Sequence, residues 1–233
     1  MSIYENTGNM IAFCVLATVM GAVVGVFLDS TAWRLASGGK IVEEDRFFPH
    51  PQSSAVFSIL TVLCLLRFDL SVICLRNLVF LCCLFCLALV DLRNYIIPDE
   101  CLMISVAAWV AAIPFAFREY GGWISIFQNL LASVMYGGGM LVLSLAMDYI
   151  LKKKSLGGGD IKLIAVIGLY LGKIASLFVL LFACVLGLLF VMIYGKSKKG
   201  TGEQIPFGPA IAAAGWLMLM YGSKLVVWYM VKI

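Results

Sequence analysis

Charge is scarce in this chain. Its 233 residues hold 17 Lys and Arg and 13 Asp and Glu, 13% together, whereas a soluble domain carries about a quarter. With 63% of residues hydrophobic and a mean hydropathy of +1.03, that shortage excludes an ordinary soluble domain. Histidine is scarcer still: the single one, His50, stands between Pro49 and Pro51 and reads as a solvated loop residue rather than a metal or catalytic centre. No basic cluster is interleaved with aromatics, which removes a nucleic-acid groove. The first residues include Glu5 and lack a basic segment and a small-residue cleavage site, so the first apolar run is expected to be retained as a span. There is no glycine-rich strand-to-helix fingerprint for a nucleotide-bearing cofactor and no internal repeat. All eight cysteines lie in apolar runs except Cys101, which begins one. Cys83 and Cys86 form C-x-x-C there and read as small apolar side chains, giving neither a disulfide framework nor zinc.

What the chain does have is long apolar runs. A helix needs about 20 such residues to cross a bilayer core, fewer if the span is short. Eight stretches are expected to do so: 10–28, 53–66, 70–90, 101–117, 124–151, 161–172, 174–195 and 208–231, of which the second and sixth are short. The expected fold is therefore all-α, a polytopic membrane protein in one membrane domain spanning 1–233. With the N-terminus outside, the cytoplasmic side collects 11 bases, Arg34, Lys40, Arg46, Arg93, Lys152, Lys153, Lys154, Lys162, Lys196, Lys198 and Lys199. Five lie outside (Arg67, Arg118, Lys173, Lys224, Lys232), and Arg76 falls within a span, so the positive-inside rule supports this orientation.

In so apolar a chain each acid at a membrane end calls for a reason. Gly157-Gly158-Gly159 precede Asp160, which opens a span, and Asp91 closes the run Leu81 to Val90. Asp160 taken alone reads equally as the N-cap of a helix starting at Ile161. The orientation, however, puts both acids on the cytoplasmic face, and two carboxyls brought together are the minimum equipment of an aspartyl hydrolase. One must hold a proton and the other be ionised, a division that close approach of like charges favours. The glycines would let an extended substrate backbone approach Asp160 and allow hinge motion. Lys162 is either an aid to the ionised form of Asp160 or an interfacial anchor. Asp99, after Pro98, reads as the N-cap of the fourth span. Pro206 and Pro209 around Phe207-Gly208 stiffen the return into the membrane, as part of a substrate path or as a helix start.

Three of these pieces resemble one family, the type IV prepilin peptidases of the GxGD aspartyl protease group. They are Asp91 in D-x-x-x-x-x-x-P-D, Gly157-Gly158-Gly159-Asp160-Ile161-Lys162-Leu163, and Pro206-Phe207-Gly208-Pro209. A weaker fourth piece, Gly25-Val26-Phe27-Leu28-Asp29 with Arg34, is similar to the family's first-span stretch. The resemblance implies a catalytic pair at Asp91 and Asp160, an eight-helix membrane architecture and a core of 70–231 preceded by N-terminal helices at 10–66. It implies partners that are prepilins or pseudopilins of type IV pilus or type II secretion systems, cleaved at the cytoplasmic face of the bacterial inner membrane. Membrane lipid is the other expected partner.

One departure bears on cofactors. Many members carry paired Cys-x-x-Cys units in the first cytoplasmic loop, bind zinc there and N-methylate the product with S-adenosylmethionine. Here the loop 30–53 is short and has no cysteine. Zinc and any other metal are not expected, cleavage is expected to need no cofactor, and use of S-adenosylmethionine stays open. The reading from a different class is a small proton- or cation-coupled transporter with Asp91 and Asp160 in the ion path.

Overall fold

The structure, a computed structural model, describes residues 7–36, 51–68, 71–119, 122–152, 157–194 and 207–232. These form seven helices and no strand: α1 (Thr7–Ala36), α2 (Pro51–Phe68), α3 (Val72–Asn94), α4 (Asp99–Glu119), α5 (Trp123–Leu151), α6 (Gly158–Tyr194) and α7 (Gly208–Lys232). Six helices among the described residues are long and apolar enough to cross a membrane. The protein is an all-α, multi-pass membrane protein.

Seven helices stand where the sequence shows eight apolar stretches, and α6 accounts for the difference. Its 37 residues would measure about 55 Å if straight, against a hydrocarbon core of about 30 Å. It is not straight, because Gly172 leaves the helical region at φ 73° and ψ −173°. Before this point α6 descends against α5: Ala165 meets Gly137, Gly168 meets Ser133, and Gly172 lies at Asn129. After it, the chain climbs against α7, with Ala175 at Gly222 and Gly187 at Phe207. Residues 158–171 and 173–194 are thus two antiparallel crossings, matching the sixth and seventh stretches. That backbone conformation is almost restricted to glycine, so the reversal falls where a residue without a Cβ stands.

Close packing elsewhere relies on small side chains, as expected where lipid supplies no hydrophobic drive between helices. A Cβ on Gly21 would lie 2.8 Å from Ser58 Cα, and one on Gly25 would lie 3.0 Å from Ser54 Cα. This draws α1 onto α2 backbone to backbone, and Ser54 Oγ donates to Ala22 O at 3.1 Å. The centre is α3, which packs against α1, α2, α4 and α7. Phe80, Leu81, Leu84, Leu87 and Val90 are fully buried there, in one core with Leu163, Ile164 and Ile167 of α6 and Ile211 and Met218 of α7. By contrast α5 leaves Ile124, Val134, Val142, Leu145 and Ile150 exposed, the surface a peripheral helix presents to lipid.

One end of this bundle therefore gathers the C-terminal ends of α1 and α3 with the N-terminal ends of α4, α6 and α7. Arg93 Nη2 to Asp29 Oδ1, Lys162 to Asp99, and Gly208 to Asp91 all join helices at that end.

Candidate active site

Asp91 lies in the last turn of α3 and is 5% exposed. The helix stops just after it because Tyr95 adopts the left-handed conformation (φ 57°, ψ 31°) and its N–H donates back to Asp91 O. The Asp91 Oδ2 accepts the Gly208 N–H at 2.9 Å, a free donor at the start of α7. That contact needs a glycine for space, since a Cβ on Gly208 would lie 2.7 Å from the same oxygen. Phe207 completes the turn, its carbonyl accepting from the N–H groups of Ala210 and Ile211 while its ring fills the space left by Gly187. Pro209, half-buried in the first turn of α7, sits where a missing N–H costs nothing. Pro206, the other proline expected here, lies outside the described residues.

Asp160 lies in the first turn of α6, half-buried, and near enough to Asp91 for the two like charges to act on each other. The two acids are brought together. The alternative of Asp160 as the N-cap of a helix starting at Ile161 is not what the structure shows: the helix begins at Gly158, and the Asp160 N–H bonds to Gly157 O at 3.1 Å. Asp160 is therefore inside the first turn of the helix. The three glycines separate into different tasks. A Cβ on Gly159 would lie 2.7 Å from Ile97 Cβ, so this glycine lets α6 seat against the α3–α4 connection. Gly157 meets Asp160 Oδ2, while Gly158 is exposed with open space beside it. None of the three has a positive φ, so the requirement is room and not an unusual backbone conformation.

Two other charges are placed differently from the sequence reading. Lys162 Nζ donates to both oxygens of Asp99 at 2.7 Å in an exposed pair linking α6 to α4. Asp99 is the first residue of α4 and an ion-pair partner, and Lys162 is held by it rather than by Asp160. The partner of Asp29, which the sequence offers only as part of a motif, goes unseen there. Asp29, 5% exposed in α1, accepts from Arg93 Nη2 at 2.9 Å, two residues beyond Asp91. Together with Asn94 Nδ2 donating to Ala36 O, this ties the Asp91 end of α3 to α1. Both ends carry charges of opposite sign in the sequence, but nothing local pairs them. Among the described residues no group of three or more His, Cys, Asp or Glu is placed to hold a metal ion. Loop residues 37–50, including Glu43, Glu44, Asp45 and His50, lie outside the described residues.

Fold and site define a multi-pass helical membrane protein with an aspartate pair where three helix ends converge. Residues 78–192, which contain both aspartates, match the type IV leader peptidase family (Peptidase_A24). It is similar to proteins named prepilin leader peptidase/N-methyltransferase from Aeromonas salmonicida (strain A449) and Pectobacterium carotovorum subsp. carotovorum. The first is 29% identical over 147 residues, 62% of this chain and 48% of the relative. The second is 31% identical over 150 residues, 64% and 52% of the two chains. A protein of the same name from Bacillus subtilis (strain 168) is 29% identical over 194 residues, 78% of this chain and 70% of the relative. The chain spans about half the length of the first curated relatives it matches, 48% in each case. No solved structure matches it.

Proposed function

We propose that this chain is an aspartic endopeptidase that removes the leader from type IV prepilins or pseudopilins, with Asp91 and Asp160 as the catalytic pair. The observation that carries the reading is the meeting of Asp91 at the end of α3 with Asp160 at the start of α6, inside the stretch that matches the family. The Gly208 N–H at the α7 N-terminus suits the charged form of Asp91. In that form Asp91 takes a proton from water as the water attacks the scissile carbonyl. Asp160, holding the pair's single proton, hydrogen-bonds to the carbonyl oxygen and stabilises the tetrahedral intermediate. The proton then returns to the leaving amine. Exposed Gly158 leaves room beside Asp160 for an extended backbone.

The excess of cytoplasmic lysines and arginines supports a site on the cytoplasmic face of the bacterial inner membrane. The absence of cysteine from residues 30–53 supports cleavage without zinc and a product left unmethylated. Incubating the purified protein with a prepilin, labelled S-adenosylmethionine and a zinc chelator tests these points together. The expected product has lost its leader, carries no label and forms at the same rate with chelator. An intact prepilin would sink the peptidase reading, while stoichiometric label or chelator sensitivity would sink the cofactor reading.

A further inference from the structure

A cavity of about 850 Å³ lies at the end of the bundle opposite the aspartates, where α2 and α7 end, α3 and α5 begin, and α6 reverses at Gly172. Arg67, Arg76 and Lys173 line it, and no Asp or Glu among the described residues does. Trp109, Phe68 and Met218 supply apolar wall. Asn77, 1% exposed, also lines the cavity. Its Oδ1 accepts from Arg76 Nε at 3.2 Å and Nη2 at 2.9 Å, which fixes the amide orientation, because the flipped amide would set donors against donors. The amide nitrogen Nδ2 is then left buried with no partner. A buried donor in that state is costly and calls for an acceptor. Arg67 is held over the gap between α2 and α7 by Met220 O at 3.2 Å and Ser223 Oγ at 2.8 Å, so its charge is positioned rather than trailing in solvent.

We propose that this cavity binds the headgroup phosphodiester of an anionic phospholipid. A small opening of the Asn77 side chain toward the cavity lets a phosphate oxygen accept from Nδ2, the bases supply the other donors, and the acyl chains follow the apolar wall into the bilayer. A zwitterionic headgroup brings a cation of its own, which three basic side chains disfavour. A free phosphate has nothing to place against the apolar wall. The inference does not depend on peptidase activity and is read without it.

The test uses the purified, delipidated protein in detergent, titrated separately with phosphatidylglycerol, phosphatidylcholine and inorganic phosphate. Binding is followed by tryptophan fluorescence, to which Trp109 in the cavity wall contributes. Phosphatidylglycerol is expected to bind saturably and about tenfold or more tighter than the other two. Loss of one hydrogen bond to a charged group implies a weakening of about tenfold or more in Asn77→Leu and in Arg67→Gln. Lys152→Gln, on a distant exposed residue, should bind as the parent does. Arg67 is exposed, so its variant keeps the test decisive if Asn77→Leu does not fold. Equal affinity for the two lipids, phosphate binding as tight as phosphatidylglycerol, or Arg67→Gln binding unchanged would each overturn the proposal.

Discussion

Gly208 touches Asp91 more closely than any substituted residue could. A methyl group there must displace the carboxylate, because its carbon would lie 2.7 Å from Oδ2 and 3.0 Å from Cγ. The tip of an aspartate can swing aside at little cost to folding, but it then loses the Gly208 N–H. Gly208→Ala is therefore expected to keep the fold while losing about tenfold or more in kcat, the scale of one hydrogen bond to a charged group. Near-parent cleavage with an unchanged melting temperature would show that this N–H has no catalytic role. The Lys162–Asp99 pair should behave oppositely. Exposed ion pairs contribute about 1 kcal/mol or less, and neither residue holds the catalytic acids in place. Asp99→Asn should retain most cleavage, so its complete loss at normal protein levels would mean that the wrong carboxylates have been paired. Asp91 and Asp160 stood out in the sequence as acids at the ends of apolar runs, one of them after three glycines. Lys162's partner was not legible, since a lysine two residues from one acid was drawn across space to another.

At the scale of the helix, Gly172 is the decisive position. Its φ of 73° and ψ of −173° lie in a region closed to residues with a Cβ, where misfit costs about 1–3 kcal/mol. Gly172→Ala should accordingly lower the melting temperature, and an unchanged value would show that the reversal is not built on this residue. This turn could be foreseen because Gly172-Lys173 interrupts an apolar run too long for one crossing. The start of α6 could not. Glycine is a poor helix former, which argues for a helix beginning after Gly159, yet Gly158 and Gly159 are helical. Packing decides instead, because only a residue without a side chain fits at Ile97. The Asp29–Arg93 pair offers a further check across elements. Asp29→Ala removes the partner of a half-buried arginine beside Asp91 and should reduce both stability and cleavage, with Asp29→Glu recovering part of each. Full activity in Asp29→Ala would separate α1 from the positioning of the site.

Across the whole molecule, both acids lie at one end of the bundle and the reversal of α6 at the other. Single cysteines at Asn94 and Gly157 should label from the same side, and those at Gly122 and Lys173 from the opposite side. Labelling of 94 and 157 from opposite faces would separate the aspartates and end the mechanism. The order of the crossings follows from apolar lengths and basic loops, so it was open to the sequence. The meeting of α7's N-terminus with Asp91 depends on helices 117 residues apart and was not.

The central claim is that Asp91 and Asp160 act as one unit, and it is tested most directly by the cleavage rates of Asp91→Asn, Asp160→Asn and the double variant on one prepilin. Each single variant should lose about 100-fold or more, the range of general acid–base catalysis, and the double variant should lose no more than the worse single one, as groups sharing one step do. Losses that multiply in the double variant, or a single variant cleaving like the parent, would contradict the account.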